Sequence, residues 1–162
     1  MTFGDRLRYL LVTGLGTGCA PVAPGTVGTL PGVALGLLLQ RALPPHLLAP
    51  VLGAVAVVLL LVGCSTSAFV DRVLQREDPP EFVLDEIVGY LGALAMLAAL
   101  APPSLAGHAA AFALFRLFDI TKPPPVRQLE RLHGAPGIML DDAMAGIYAG
   151  LGLIGLFRAD LI

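Results

Sequence analysis

From Leu47 to about Ala68 the chain is almost entirely Leu, Val, Ala and Gly, with no charged side chain. A helix of ~20 apolar residues is long enough to cross a hydrocarbon core, so this run is the strongest transmembrane candidate. The composition points the same way. At 56% hydrophobic, 14% charged and a mean hydropathy of +0.82, the 162 residues exceed what a soluble domain needs to fill its interior. A membrane-embedded helical protein, organised as one domain over residues 1–162, is therefore the first hypothesis. The net charge of −2 leaves nothing basic enough to follow a phosphate backbone, which excludes a nucleic-acid partner. Cys19 and Cys64 have neither metal-ligand spacing nor the density of a disulfide scaffold. Glycines and prolines after Met1–Arg8 break up any compact apolar core of a cleavable signal peptide.

Thr2 to Val12 reads as a short amphipathic turn or helix, and Gly14 to Gly32, with Pro21, Pro24 and Pro31, as a structured Gly/Pro-rich loop. Helix is expected over 33–43, 47–68, 81–100, 104–118 and 138–157, with a short amphipathic helix over 126–132 and Gly134 just past its end. The stretches 33–43 and 104–118 are short for a full crossing. If the apolar helices alternate, the Gly-rich loop, Asp85 and Glu86, the Asp119 end of its helix, and Asp141 and Asp142 all fall on one face. Only Arg41 and Arg158 of the ten Lys and Arg residues then lie on the other face. By the positive-inside rule the polar face is cytoplasmic.

Charge is concentrated between Phe115 and Gly146, where Arg116, Asp119, Lys122, Arg127, Glu130, Arg131, Asp141 and Asp142 interrupt an apolar background. Carboxylates within apolar helices are costly, less so near an end. Asp85, Glu86, Asp141 and Asp142 sit near helix starts, where capping and the macrodipole offer an ordinary explanation. Two acidic pairs together with Asp119 on one face favour a site instead. Asp85 and Asp142 each precede a glycine, Gly89 and Gly146, by four residues, so each carboxylate lies on the same helical face as a bare backbone position. That lets a neighbouring helix or a ligand approach closely.

Oxygen ligands without His or Cys suit a hard cation, Mg²⁺ before Zn²⁺. With Lys122 and Arg116 nearby, the set has the parts of a phosphoryl-transfer or phosphate-hydrolysis site. The Gly14–Gly32 segment offers backbone N–H donors and a helix N-terminus for a phosphate, though it lacks a nucleotide P-loop pattern. Cys64 has Val70 where a cysteine phosphatase needs Arg, and FDIT at 118–121 lacks the second Asp of an aspartyl-phosphate motif. PSLAGH at 103–108 only faintly matches a histidine lipid phosphatase box, which leaves His108 as a polar residue in a helix interface. His46 and His133 read as interfacial residues without a role.

The blocks GTGCAPVAPGTVGTLPG (16–32), DEIVGY (85–90), FRLFDITKPPPV (115–126) and GAPGIMLDDAMAGIYAG (134–150) resemble, in this order, the phosphatidylglycerophosphatase A family. Ala135-Pro136 stands where that family's pattern has a second glycine, a change expected to alter loop stiffness. The resemblance implies an all-α, membrane-embedded bundle of about five to six main helices. It also implies a bacterial, Mg²⁺-dependent enzyme that removes the terminal phosphate of phosphatidylglycerol phosphate. Combined with the residue reading, it makes Asp85, Glu86, Asp119, Asp141 and Asp142 the expected metal ligands, a water-activating base among them. Asp119, Asp142, Lys122 and Arg116 are the expected catalytic residues, the last two holding phosphate oxygens. Gly25, Thr26 and Gly28 are expected to close the pocket on the substrate. The expected partners are a phospholipid substrate and the bacterial inner membrane, with no protein partner evident. A CDP-alcohol phosphotransferase is excluded by its missing motif, and the non-enzymatic alternative is a small scaffold or transport subunit docking through its charged face. Arg127, Glu130 and Arg131 are expected to form a solvated face.

Overall fold

The computed structural model describes residues 1–76 and 79–162. Among them eight α-helical elements form and no strand. They are α1 (Phe3–Val12), α2 (Pro24–Ala42), α3 (Pro45–Cys64), the single turn α4 (Ser67–Phe69), α5 (Leu84–Ala98), α6 (Leu105–Thr121), the single turn α7 (Val126–Leu129) and α8 (Ala135–Arg158). A 3₁₀ turn (Thr17–Cys19) precedes α2, and a π-helical turn (Val70–Leu74) continues α4. The count exceeds the expected five to six main helices because α1, α4 and α7 are short pieces beside five long ones.

The centre of the bundle is α5. Its sequence is apolar nearly all round, which is the pattern of a helix buried on every side. It packs against α8, α3, α2 and α6, and from Ile87 to Ala98 only Gly92, Ala95 and Met96 escape full burial. Tyr90, Leu91 and Leu94 on α5 meet Leu52 of α3, Phe115 of α6 and Leu153 of α8 in one core. α3 and α8 are long and apolar enough to cross a membrane. On α3, Val57, Val58 and Leu61 remain exposed, an apolar surface that water would not tolerate cheaply.

One boundary departs from expectation in an instructive way. The Gly14–Gly32 stretch is not a loop throughout, because α2 starts at Pro24 and continues through Pro31 to Ala42. Pro24 is compatible with a helix start, where its missing N–H would have no partner. Gly28, Gly32 and Gly36 then recur every four residues along one face of α2, against α5 and its approach. A Cβ on Gly28 would strike Val83, one on Gly32 would lie 3.3 Å from the Ile87 backbone, and one on Gly36 would meet Leu94 at 2.7 Å. The glycines thus serve close helix packing, which offsets their poor helix propensity. α2 is 19 residues long, nearly twice the 33–43 segment expected. α6 also runs a turn further than expected, to Thr121, and α8 begins three residues earlier, at Ala135. Ala135 and Pro136 therefore lie in the first turn of α8, not in a loop. There a proline is at home and the stiffness argument does not apply.

The tightest crossing is between α5 and α8. A Cβ on Gly146 would overlap the backbone of Gly89, and one on Gly89 would overlap the Phe115 ring and crowd the Asp142 carbonyl. The bare position at Gly146 is filled by the α5 backbone, and that at Gly89 by Phe115 of α6 together with the α8 backbone.

Far from the charged residues, His108 on α6 is held between two other helices. Tyr90 Oη lies 2.7 Å from Nδ1, and Gln40 Oε1 lies 2.7 Å from Nε2. Because Gln40 spends its amide N–H on the Pro103 carbonyl (2.8 Å), its oxygen accepts from His108 Nε2–H, which leaves Nδ1 to accept from Tyr90. His108 is the interface residue the sequence suggested.

At the N-terminus, Thr2 and Asp5 form a reciprocal capping box on α1. The buried Asp5 carboxylate also accepts from Arg72, at 2.6 and 3.2 Å. The Arg72 hydrogen bonds first, and those from Thr2 second, hold the Asp5 carboxyl well below the usual carboxylate range.

Two outcomes follow. Gly146→Ala should cost at least ~1–3 kcal/mol, since backbone cannot move aside as a side chain can, whereas Gly53→Ala, inside α3 with open space around its Cβ site, should be neutral or stabilising by up to about 1 kcal/mol. Thermal unfolding in detergent measures both. Because the Asp5 carboxyl is depressed in the folded state, its contribution is present at neutral pH and is lost as pH falls below its ordinary value of 3.8. Acid unfolding of Asp5→Asn should accordingly be less steep in that window than that of the parent protein.

Candidate active site

The N-terminal ends of α2, α5 and α8 and the C-terminal end of α6 converge on one cavity of about 780 Å³. Its floor is acidic. Asp85 and Glu86 come from the first turn of α5, Asp119 from the last turn of α6, and Asp141 and Asp142 from the second turn of α8. The convergence on one end matches the sidedness expected from the sequence. Arg41 and Arg158 lie at the opposite ends of α2 and α8.

The α5–α8 crossing sets the geometry. With the two backbones in contact at Gly89 and Gly146, the carboxylates one turn earlier are driven together. One oxygen each from Asp85, Glu86 and Asp142 lies within 4.8 Å of the others, and the set is buried. The Asp119 carboxylate faces that of Asp142. Neither acidic pair caps its helix: the residues preceding α5 and α8 are Val83 and Gly134, and neither side chain makes a cap bond. Instead the first Asp of each pair accepts from the next residue's N–H, Asp85 from Glu86 at 2.9 Å and Asp141 from Asp142 at 3.0 Å. Neither pair therefore acts as an N-cap, although Asp85 satisfies a first-turn N–H of α5.

Two cations partly offset this charge. Arg116 Nη1 stands 2.8 Å from Asp119 Oδ2 and 3.7 Å from Glu86 Oε1. These are charge contacts with poor hydrogen-bond alignment, so Arg116 Nε and Nη1 are buried without an acceptor, as is Glu86 Oε2 without a donor. Such orphaned groups are expensive unless something else completes them. Lys122 Nζ donates to Asp141 Oδ2 at 2.9 Å and to Glu130 Oε1 at 2.7 Å. Burial disfavours its charge, but these two carboxylates more than compensate and raise its pKa. Lys122 ends α6 in the left-handed conformation, with φ 43°, an arrangement a non-glycine residue adopts only when its surroundings enforce it.

Of the residues expected to shape the pocket, Gly25 and Thr26 line it. A Cβ on Gly25 would collide with Glu86 Oε1 and press on the Arg116 guanidinium, so glycine there makes room for both. Both residues lie in the first turn of α2, whose N–H groups have no acceptor within the helix. Gly28 does not reach the cavity. It is buried against Val83, one turn further along α2, and its role is packing.

The cavity also has a wall the sequence reading did not assign. Glu130, Arg131, Leu132 and His133, expected to be solvated or interfacial, line it instead, and Glu130 binds Lys122. They are carried there by the triple-proline turn, which Tyr148 Oη fixes to α8 by donating to the Pro124 carbonyl at 2.7 Å. That contact spans 24 residues, so no local periodicity signals it. Arg127, Glu130 and Arg131 are all exposed, as expected, but Glu130 and Arg131 also line the cavity while Arg127 does not.

The carboxylate cluster suits a hard cation. Three oxygens lie close together, one buried oxygen has no donor, and no soft ligand is among them. Beside it, Arg116 presents unfilled donors and α2 presents a helix N-terminus, both suited to an anion. A site of this kind at the end of an apolar helical bundle defines a phosphate-handling enzyme that works next to lipid. Comparison with known proteins gives the same class and narrows it. The profile of the family described as phosphatidylglycerophosphatase A matches residues 10–157. The chain is 38% identical to phosphatidylglycerophosphatase A of Haemophilus influenzae (87% of this chain, 83% of that protein) and 35% identical to that of Escherichia coli (86% and 77%). It is also 37% identical to a Bacteroides thetaiotaomicron protein named "Putative phosphatidylinositol-3-phosphatase" (88% and 89%). No solved structure matches it. The chain belongs to the phosphatidylglycerophosphatase A family and is a phosphatase.

The Lys122–Asp141 pair offers a direct check of the site's architecture. Lys122→Met should destabilise the protein by ~1–3 kcal/mol by leaving a buried carboxylate without its donor. Adding Asp141→Asn should recover part of that loss, a coupling that a double-mutant cycle in thermal unfolding would measure.

Proposed function

We propose that the protein hydrolyses the terminal phosphomonoester of phosphatidylglycerol phosphate, giving phosphatidylglycerol and inorganic phosphate, with Mg²⁺ as cofactor. The observation that carries the reading is the cluster of Asp85, Glu86 and Asp142 within 4.8 Å, set beside an Arg116 whose buried N–H groups lack acceptors. Asp85, Glu86 and Asp142 would hold the metal, which when bound neutralises charge on the phosphoryl oxygens. Arg116 directs its free N–H groups to the same oxygens and takes up charge that grows as the P–O bond breaks. The first turn of α2, at Gly25 and Thr26, supplies backbone donors from the opposite side. Asp119, held by Arg116 and facing Asp142, is placed to accept a proton from the water that adds to phosphorus. The bond from phosphorus to the glycerol oxygen breaks, and that oxygen takes the proton that Asp119 received, directly or through solvent, to become the product hydroxyl. Lys122 positions Asp141 and Glu130 near the reacting phosphate.

The family, and relatives named for this activity, support the choice of lipid. The apolar bundle supports a location in the bacterial inner membrane, where α3 and α8 are long enough to cross. The clustering of Lys and Arg at the cavity end supports a site on the cytoplasmic face.

Phosphate release from phosphatidylglycerol phosphate, measured beside phosphatidylinositol 3-phosphate and phosphatidic acid, tests the substrate. The expected result is preference for phosphatidylglycerol phosphate and no release after chelation of divalent cations. Asp85→Asn and Asp142→Asn should each lower kcat by ~10²-fold or more, the scale on which a group stabilising transition-state charge acts. Full activity in both folded variants would rule out the assignment.

A further inference from the structure

Phosphatidylglycerol phosphate carries two phosphates, and the groups described above account for one. The second is a phosphodiester, which must lie between the reacting end and the acyl chains. The cavity has a feature that fits it. On the wall between α7 and α8, Arg131 and His133 both line the cavity and both are exposed. Neither forms an ion pair among the described residues, whereas the two deeper cations, Arg116 and Lys122, are each engaged by two carboxylates.

The apolar neighbours give the direction. Leu132 lies between Arg131 and His133 and is 47% exposed, and Ile120, across the cavity on α6, is 70% exposed. The rim therefore pairs unengaged cationic or protonatable groups with exposed apolar side chains. That is the combination met where a lipid's phosphodiester gives way to its acylglycerol. In the proposed reaction the terminal phosphomonoester occupies the deep end beside Asp85, Glu86, Asp142 and Arg116, so the diester that precedes it in the lipid lies nearer the rim. A phosphomonoester that brings only one anionic group leaves the rim unused.

Resting on the proposed reaction, we infer that Arg131 and His133 form a second anion subsite that binds the phosphodiester of the substrate lipid. It selects lipids with two phosphates in series over those with one. Arg131 holds the diester by its guanidinium, and His133 donates a ring N–H.

The test uses binding, so that it does not depend on turnover. Glycerophosphoglycerol, which has the diester and no terminal phosphate, and inorganic phosphate are titrated separately onto the purified full-length protein in detergent by calorimetry. The Arg131→Gln/His133→Gln variant should bind glycerophosphoglycerol about tenfold more weakly than the parent, a loss of about 1.4 kcal/mol. Its affinity for inorganic phosphate should be unchanged. Arg116→Gln should show the reverse, losing inorganic phosphate and retaining the diester. Equal affinity of the rim variant and the parent for glycerophosphoglycerol, or no binding of it by the parent, would overturn the subsite. An unchanged melting temperature in the rim variant separates these results from misfolding. Failure of the proposed reaction appears elsewhere, as absent phosphate release from phosphatidylglycerol phosphate by a parent protein that still binds the diester through Arg131 and His133.

Discussion

The contact between the backbones of α5 and α8 at Gly89 and Gly146 determines most of the site. Side chains at either position would hold the helices apart by the width of a methyl group or more, and the carboxylates one turn away would separate with them. The catalytic end of the molecule is therefore built from the absence of side chains as much as from the charges themselves. Gly25 extends the same device, giving Glu86 and Arg116 the space to meet.

Bringing carboxylates together carries an electrostatic cost that the protein meets only in part. Asp85, Glu86, Asp119, Glu130, Asp141 and Asp142 line a cavity in which Arg116 and Lys122 are the deep cations. Arg116 serves Asp119 and Glu86, and Lys122 serves Asp141 and Glu130, which leaves Asp85 and Asp142 with no cationic partner among the described residues. A hard divalent ion is the simplest complement to that remainder. The proposed metal-dependent reaction would call on such a deficit, because a self-neutralised cluster would have little affinity for an ion.

Much of this was legible in the sequence, and the limits have physical causes. The acidic pairs and Asp119 could be placed on one face because long apolar helices alternate direction, and the i, i+4 spacing of Asp85 with Gly89 and Asp142 with Gly146 signalled close approach. The start of α2 was misread because Gly28, Gly32 and Pro31 carry a loop composition, while their helical state is decided by packing on Val83, Ile87 and Leu94, residues far away in sequence. The rim residues from Glu130 to His133 were missed for a similar reason. Their position depends on a proline turn pinned by Tyr148, and a charged, locally amphipathic segment looks the same whether it faces solvent or a substrate cavity. The pairing of Lys122 with Glu130 as well as Asp141 was equally out of reach, since the spacing of eight residues crosses three prolines.

The Gln40–His108–Tyr90 clasp bears on how the bundle can move. It ties α2 and α6, near their ends remote from the acidic residues, to Tyr90 in the middle of α5, through one buried and one part-buried bond, each of 2.7 Å. Three of the five long helices are thus fastened to one another at one point, like slats on a common rivet. A bulky two-chain lipid still has to be admitted and released. The clasp opposes relative movement of those three helices, and it leaves untouched the chain between α6 and α8, whose residues 130–134 line the cavity.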